Sequence, residues 1–574
     1  MKKNWWNVEA GLYGLAVLVA VLIRVLRLGA VPLSDGEAVW SLKALELSTG
    51  SLQTVGNFPG YVLWTGLLFY LFEASNWLAR ILPALIGALA ALAPYFYRRY
   101  LGHFEAILLA FALALSPTLV ANSRFIDGSG MALVCLLLAG GFWLSGYSVA
   151  TGIAAGWALL SGPRVWLGVL IGVLVFIWEK AFQSYKSDAP GMALPENEFS
   201  WRKALLALAL MLLFGGTLFF QTPAGLNGVT GGLVEFLTGW AGPLRVGMEF
   251  IWMAWLVYEP LAVFLGMWGM IRGLWKTRTT VDIILSRAVI AVLFVVTIYP
   301  AHQVLDLGFV VAPLWALGVR QAAYWIRRRV ELEGWKELTP ALGMSAAVFT
   351  LLVFSWMSLG RLINLQGLTD DQKRLVGASI VVAFAMIMLI TVLVAWGWSW
   401  AQSGVGLLVS MMCLLLIYNF SALWNGAGLG RNPAAELWHS SAYPTDHDLL
   451  VQTVYDTAER ARGMRTELDI YVVDIDSPSL QWALRKMNTV KIVKAISPEA
   501  TPSLVITRDD LQPAFSVDYT GQDFVWKEVP AWDLLGVADW LRWMMFRYVP
   551  SGKEYLVVWV RSALMPGASA AGVP

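Results

Sequence analysis

Thirteen apolar stretches, each close to the length of a membrane-spanning helix, follow one another through the first 424 residues. A helix needs roughly 20 mostly apolar residues to cross the hydrocarbon of a bilayer. Lipid offers no hydrogen-bond partner to an exposed backbone, so such stretches are predicted to be helices. The predicted spans are 9–28, 77–97, 104–121, 130–147, 148–162, 164–181, 203–221, 248–271, 281–300, 304–326, 340–360, 375–399 and 404–424. The sequence therefore predicts a polytopic α-helical membrane protein with about 13 transmembrane helices.

The composition agrees with a chain that lives in a lipid bilayer. Hydrophobic residues make up 58% of the 574 residues and charged residues only 14%, against about 25% charged in soluble domains. A net charge of +2 gives no indication of a nucleic-acid partner. The two cysteines, Cys135 and Cys413, lie inside apolar stretches, so no disulfide framework is expected.

The distribution of basic residues predicts the orientation of the chain. Pro59 to Ala74 is apolar enough to count as a fourteenth span, but counting it would place most basic clusters outside. Cytoplasmic loops carry the excess of Lys and Arg, so we interpret this segment as a helix on the outer membrane surface. The N-terminus is then cytoplasmic in a plasma-membrane protein. The predicted inner clusters are Arg98-Arg99, Lys180 with Lys186, Arg202-Lys203, Arg272 with Lys276 and Arg278, and Arg327-Arg328-Arg329.

Beyond Trp424 the sequence no longer reads as membrane helices. A Gly- and Asn-rich boundary precedes alternating helix and strand patterns, which predict a small extracytoplasmic α/β domain over 425–564. The last ten residues, Met565 to Pro574, form a predicted disordered tail, and 182–200 reads as a linker. The expected elements are helices at 445–463, 477–487 and 532–548, and strands at 468–473, 489–495, 503–507, 524–527 and 554–561.

An acidic segment directly after the first span is the first candidate for chemistry. Asp35 and Glu37 flank Gly36 and begin a predicted surface helix over 35–49. A carboxylate here could take a proton from an acceptor nucleophile while the second acid tunes it. The competing interpretation is structural, with Ser34 or Asp35 acting only as the N-cap of that helix.

A further acid, Asp127, follows the third span and falls on the same predicted side of the membrane. It could complete one outer site with Asp35 and Glu37, and the three carboxylates could hold a divalent metal. Asp127 could equally be an ordinary residue before the next helix. Arg124, three residues earlier, could pair with Asp127 or hold a phosphate group in a bidentate manner.

Other outer-face residues could contact an anionic substrate. Asn57 lies in the turn before the second surface helix, predicted over 59–75, and His302 follows Pro300 at a helix end. Arginines near helix ends could receive a lipid headgroup, although they could simply extend toward water. The candidates for substrate binding are Arg124, Arg80, His302, Arg245, Arg361 and Asn57.

The order of these features resembles a known family. The segments LSDGEAVWSLKALEL, NFPGYVLWTGLLFYLF, SNWLARILPALIGALAALAPYFYRRYLG and LALSPTLVANSRFIDGSGM follow one another. They resemble the N-terminal half of GT-C glycosyltransferases of the dolichyl-phosphate-mannose-protein mannosyltransferase and aminoarabinose-transferase kind. SLQWALRKMNTVKIV, PSLVIT and LVVWVR resemble the C-terminal domain of the flippase activity-associated group. Here the acidic pair is interrupted by Gly36, which leaves open which acid is the base.

The resemblance implies a GT-C-like fold over about the first 320 residues and an activity on lipid-linked sugars. The implied reaction moves a sugar from a polyprenyl-phosphate donor to a glycan, lipid or protein acceptor on the outer face. Asp35, Glu37 and Asp127 are then the candidate catalytic acids. The alternative is a non-enzymatic subunit associated with a flippase or transporter of lipid-linked sugars, which should show broken helices and inverted repeats. No repeat is visible in the sequence.

Overall fold

A computed structural model describes residues 2–181, 199–337, 339–364, 369–430, 432–438, 442–497 and 499–565, without the side chains of 2–7 and 328–337. The predicted linker at 182–200 therefore falls almost wholly outside the described residues. The side chains of Arg328 and Arg329 and the tail beyond Met565 lie outside them too.

All thirteen predicted spans correspond to helical segments. The bounds in the N-terminal half are α1 Lys2–Val25, α2 Asp35–Thr49, α3 Pro59–Leu71, α4 Asn76–Ala88, α5 Ala93–Leu101, α6 His103–Ala114, α7 Pro117–Arg124, α8 Ser129–Leu144, α9 Ser148–Leu160, α10 Arg164–Ala181 and α11 Trp201–Leu210. Then follow α12 Gly225–Thr238, α13 Met248–Tyr258, α14 Pro260–Arg272, α15 Thr280–Ile298, α16 Gly308–Glu337, α17 Thr339–Ile363, α18 Asp370–Gly397 and α19 Trp400–Gly426. Five-residue π-helical turns at Met211–Gly215 and Gly273–Thr277 extend α11 and α14.

Fewer helices than thirteen are long and apolar enough to cross a membrane by themselves. Seven qualify among the described residues, or up to nine if each of two bent helix pairs counts as one span. α8 and α9 are shorter apolar helices of 16 and 13 residues. The polytopic membrane fold is thus confirmed, while several expected spans are short or broken helices.

The two bent pairs meet at one buried carboxylate. α6 and α7 turn by 51°, and α13 and the helix that starts at Pro260 turn by 93° at Glu259. The carboxylate of Glu259 accepts hydrogen bonds from the Ser116 hydroxyl, the Thr118 backbone N–H (3.1 Å) and the Trp315 indole N–H (3.0 Å). A charged group this deep in a membrane protein needs such partners, so Glu259 joins both bends.

The surface segment predicted at 59–75 is instead a short helix buried in the protein. α3 has 13 residues, which at 1.5 Å per residue is about 20 Å and too short for a 30 Å hydrocarbon core. Tyr61, expected at the membrane interface, is fully buried and donates a hydrogen bond to the Ala79 carbonyl (3.0 Å). Trp64 packs on Trp157. Strong exposure is confined to the end of the helix, at Tyr70 and Leu71, because α3 packs on α2 and α4.

The C-terminal part is an α/β unit, as the sequence predicts. Its elements are α20 His447–Arg462, β1 Ile470–Val473, α21 Pro478–Ala483, β2 Val490–Val493, β3 Leu504–Arg508, β4 Tyr519–Pro530, α22 Val537–Phe546 and β5 Ser551–Arg561. The strands form one mixed sheet in the order β2-β1-β3-β5-β4. β1 pairs in parallel with β2 and β3, whereas β5 is antiparallel to β3 and β4. β4 is an edge strand as predicted, but it starts at Tyr519.

The C-terminal part packs on the start of the chain. α21 lies on α2, and Trp482 enters the apolar cluster of the N-terminal helices, where it packs on Phe69 and donates to the Asn76 side chain (2.8 Å). α12, which fills much of the outer segment 221–248, packs on α3, α9 and α10.

Candidate active site

Asp35 and Glu37, the first two candidate acids, have different surroundings, and Glu37 is the more enclosed. Ser34 is the N-cap of α2, and its backbone N–H donates to Glu37 Oε2 (3.2 Å). Arg80 of α4 grips the same carboxylate, with Nε 2.7 Å from Oε1 and Nη2 2.6 Å from Oε2. Glu37 and Arg80 are each 3% exposed. Glu37 therefore forms a closed ion pair between α2 and α4.

Arg80 has no donor left for a substrate. Its other N–H groups donate to the carbonyl oxygens of Leu28 (3.3 Å), Val31 (2.7 Å) and Pro32 (3.1 Å). These bonds and the two to Glu37 account for all five donors of a guanidinium. The expectation that Arg80 binds an anionic substrate is thus corrected, because Arg80 fastens the loop between α1 and α2.

Asp35 faces the C-terminal part of the chain. Its Oδ1 accepts hydrogen bonds from the Ser477 hydroxyl and the Ser479 backbone N–H, each 3.0 Å long, and its Oδ2 pairs with Lys527 of β4. Burial opposes ionisation of Asp35, but the bonds from Lys527 and Ser479 outweigh it and hold its pKa below the usual value. Since Ser34 caps the helix, the cap interpretation of Asp35 is wrong, and Asp35 is an ionised interdomain residue with a 22% exposed side chain.

Asp127 lies in a third set of contacts. Its Oδ2 accepts a 2.5 Å hydrogen bond from the Ser129 hydroxyl, and it interacts electrostatically with Arg164 and Asp306. Arg164 and Asp306 are themselves a buried ion pair, with Nη1 2.8 Å from Oδ2. α8 begins at Ser129 with Gly128 as its N-cap, so Asp127 does not cap that helix.

The three acids do not converge as expected. Asp35 binds the C-terminal part, Glu37 binds Arg80, and Asp127 belongs with Arg164 and Asp306. No group of three or more His, Cys, Asp and Glu side chains that could hold a metal ion occurs among the residues that the structure describes. The predicted divalent-metal site of Asp35, Glu37 and Asp127 is therefore not formed by these side chains.

Arg124 and Tyr443 connect the Glu37 region with the Asp127 region. Nη1 of Arg124 donates to three carbonyl oxygens at the end of α1, those of Ile23 (3.0 Å), Arg24 (2.8 Å) and Leu26 (3.0 Å). The next residue, Phe125, stacks on Tyr443 with ring centroids 6.4 Å apart. Burial, and then the nearby charge of Glu37, raise the pKa of Tyr443 well above its usual value. The three acids thus lie at one end of the molecule, although in separate contacts.

Of the remaining predicted substrate-binding residues, some have hydrogen-bond partners within the protein and others are exposed. Both ring nitrogens of the fully buried His302 lie near carbonyl oxygens, Nδ1 2.6 Å from that of Tyr299 and Nε2 3.0 Å from that of Val246. The Asn57 amide donates to Glu235 (3.0 Å). Arg245 and Arg361 are exposed. Only these two arginines, of the predicted set, lie open to solvent or lipid.

Sequence reasoning missed the residues that now appear closest to the candidate acids. Arg164 and Asp306 lie within predicted spans, and an isolated charge inside an apolar segment is itself a signal of a polar site. Lys527, Ser477 and Ser479 carry no such signal. They lie more than 440 residues from Asp35 in the chain, and only the packing of α21 and β4 brings them there.

The cavities at this end of the molecule are small. One of about 30 Å³ is lined by Arg80, Arg124 and Tyr443, and one of about 10 Å³ by Arg164, Glu235 and Arg245 among others. A single water molecule needs about 10–15 Å³ of such volume. Neither of these two cavities is large enough for a sugar.

Comparison with solved structures finds the same architecture in another protein. The chain matches the crystal structure of ArnT from Cupriavidus metallidurans bound to undecaprenyl phosphate over 98% of its own length and 99% of that chain, with a TM-score of 0.55 and 16% identity. The apo state of ArnT matches over 100% of both chains, with a TM-score of 0.53 and 16% identity. No protein-family profile and no curated protein sequence matches the chain.

These matches define the class of fold. The chain is a polytopic membrane protein with an ArnT-like fold, which agrees at the level of fold with the resemblance seen in its N-terminal motifs. The particular arrangement is that of ArnT, and the match extends through the C-terminal part.

Proposed function

We propose that this protein is a membrane glycosyltransferase that moves a sugar from a polyprenyl-phosphate donor to an acceptor at the membrane face that holds Asp35. One observation carries the proposal, namely the match in fold, over almost the whole of both chains, to an ArnT structure that contains undecaprenyl phosphate. The acceptor belongs to the broad class of hydroxyl- or amine-bearing glycans, lipids and proteins.

In this proposal Asp35 is the general base. An acceptor hydroxyl gives its proton to the Asp35 carboxylate while its oxygen forms a bond to the anomeric carbon of the sugar. The bond from that carbon to the phosphate oxygen breaks, and the polyprenyl phosphate leaves with the bonding electrons. Both carboxylates have partners at both oxygens, so exposure is what supports Asp35 over Glu37: the Asp35 side chain is 22% exposed and that of Glu37 only 4%.

The departing phosphate needs cationic partners, because negative charge develops on it as the bond breaks. Arg124 is our first candidate, since among the described residues its hydrogen bonds are all made by Nη1, and it precedes Asp127 by three residues. Arg245 and Arg361 remain candidates because they are exposed.

A transfer assay tests the proposal. Purified protein in lipid nanodiscs is given a polyprenyl-phosphate donor with a radiolabelled sugar and a membrane extract as the acceptor source. We expect consumption of the donor and transfer of the label, both lost in Asp35→Asn, which keeps the shape of the side chain but removes the base. Donor consumption equal to that of the wild type by Asp35→Asn would exclude Asp35 as the base.

The second candidate function is a non-enzymatic subunit that handles lipid-linked sugars. The two broken helices at Ser116 and Glu259 favour it, because helices broken in mid-membrane are typical of transporters. Vesicles that contain the purified protein distinguish the two. Movement of a labelled polyprenyl-phosphate sugar between leaflets without donor cleavage would support the subunit and contradict the transferase.

A further inference from the structure

A cavity bordered by arginines lies at the opposite end of the molecule from the three acids. It has a volume of about 620 Å³ and is lined by Arg272, Arg320 and Arg327 among others. Cavities of about 300–1,000 Å³ are the size of small-molecule sites. We call it the arginine pocket.

Three membrane-spanning segments place the arginine pocket across the membrane from the candidate active site. The span Asn76–Leu101 begins beside Trp482 and ends at Leu101 in the pocket wall. The span Val304–Arg327 has Asp306 near its start and Arg320 and Arg327 at its other end, in the pocket wall. The span Thr280–Ile298 runs in the opposite direction. The pocket therefore has no residue in common with the acid contacts described above.

The charges of the pocket walls favour an anion. Arg320 Nε lies 2.6 Å from Asp282, and Arg327 Nη2 lies 2.8 Å from Glu105. The side chains of these acids are only 2% and 10% exposed, whereas those of their arginines are 17% and 53% exposed. Asp282 and Glu105 also line the cavity, but their carboxylates are less exposed than the guanidinium groups that pair with them, and with Arg272 the wall has three positive charges against two negative ones.

Arg272 adds a positive charge, and no carboxylate among the described residues forms an ion pair with it. Its guanidinium lies over the ring of Tyr324, with 4.1 Å to the ring centroid, and its Nε–H is buried without a hydrogen-bond partner among the described residues. A guanidinium stacked by its face keeps its donors at the edge, in the geometry that binds phosphate oxygens in pairs. An unmet buried donor is costly, so a ligand that accepts its hydrogen bond is favoured.

We propose that the arginine pocket binds a phosphate group, held by Arg272 together with Arg320 and Arg327. The group is a phosphate monoester or its equivalent, carried either by an anionic lipid headgroup or by a water-soluble phosphate compound. This inference stands independently of the proposed glycosyl transfer.

Binding to purified protein in detergent tests the inference and separates the two sources. One arm measures the shift in unfolding temperature caused by inorganic phosphate. The other measures retention of phosphatidic acid, relative to phosphatidylcholine, by native mass spectrometry. Stabilisation by phosphate alone identifies a soluble ligand, and selective retention of phosphatidic acid identifies a lipid. Absence of both in the wild type overturns the proposal.

Variants of two neighbouring basic residues locate the binding. Arg272→Gln removes a cation of the pocket without orphaning a carboxylate, and we expect about tenfold weaker binding of the responding probe. Arg272→Lys, which keeps the charge but loses the fork, should bind with intermediate affinity. Lys276→Gln is the matched control, because Lys276 is exposed, follows within four residues and does not line the pocket. Equal loss in Lys276→Gln, or none in either Arg272 variant, overturns the assignment to this pocket.

Discussion

The Asp35 carboxylate lies against the ammonium group of Lys527, a residue 492 positions further along the chain. One partner begins α2 beside the first span, and the other lies on edge strand β4 of the C-terminal sheet. The contact therefore connects the proposed base directly to the C-terminal part.

Removal of Lys527 should change the pH dependence of the proposed transfer. Lys527→Met takes away a cation that holds the pKa of Asp35 below its usual value, so the acidic limb of the pH–rate profile should move to higher pH. Lys553→Met on β5 is the control, because Lys553 pairs with Glu528, 3.8 Å away, and is not among the residues that contact Asp35. An unchanged acidic limb in Lys527→Met would show that another group controls it.

The Asp35–Lys527 pair should also make the stability of the fold depend on pH, on the acidic side only. A carboxyl whose pKa is depressed in the folded state stabilises that state above its unfolded pKa of about 4, and this stabilisation disappears as the pH falls through the folded value. We expect the unfolding temperature of the wild type to fall faster below pH 4 than that of Asp35→Asn. Parallel curves for the two proteins, measured by circular dichroism in detergent, would contradict the depressed pKa.

Glu37 should prove structural. Glu37→Gln leaves the buried Arg80 without its counter-charge, and loss of one partner of a buried ion pair costs about 3–5 kcal/mol. Thermal unfolding should therefore reveal marked destabilisation, whereas Glu46→Gln, exposed on the same helix, should have almost no effect. A Glu37→Gln protein with wild-type stability and no transfer activity would instead identify Glu37 as the base.

Glu259 should hold the two helix bends together. Glu259→Ala leaves the donors of Ser116, Thr118 and Trp315 unmet, at about 1–3 kcal/mol for each buried group. We expect a lower unfolding temperature and faster proteolysis near both bends. Glu249→Ala, exposed in the first turn of α13, provides the comparison, and a matching response of the two variants would remove this role from Glu259.

The orientation in the membrane stays a prediction of the basic-residue pattern. We expect an impermeant thiol reagent added outside intact cells to label a cysteine at Asp448, whose side chain is 97% exposed, and not one at Lys276. The background is Cys413→Ser, since Cys135 is buried and Cys413 is exposed. Labelling only at position 276 would reverse the orientation and place the domain over 425–564 in the cytoplasm.

Local sequence patterns predicted most elements but not the contacts between them. Apolar length predicts the membrane helices and alternation predicts the strands, because both depend on neighbours in sequence, whereas α12 and the bends at Ser116 and Glu259 were not predicted. The start of β4 at Tyr519 escaped prediction because residues 519–523 lack apolar alternation and are ordered by pairing with β5.

The pairings of the candidate acids could not be predicted from the sequence. Asp35, Glu37 and Asp127 were expected to share one outer site, and the structure places them in three separate sets of contacts. Their partners are decided by packing at long range: Arg80 turns its donors to Glu37 and the first loop, and Lys527 arrives with the sheet. A single sequence contains no signal that pairs residues so far apart.

Trp482 has a consequence for how the protein is made. It lies in the apolar cluster of the N-terminal helices and bonds to Asn76, 406 residues earlier. At about 5–20 residues per second of synthesis, the gap that Trp482 fills stays open for roughly 20–80 s after Asn76 emerges. During that interval the apolar cluster of the nascent helices stays uncovered at the bilayer edge. Membrane chaperones and quality-control proteases can bind this surface until the last quarter of the chain, which contains Trp482, covers it.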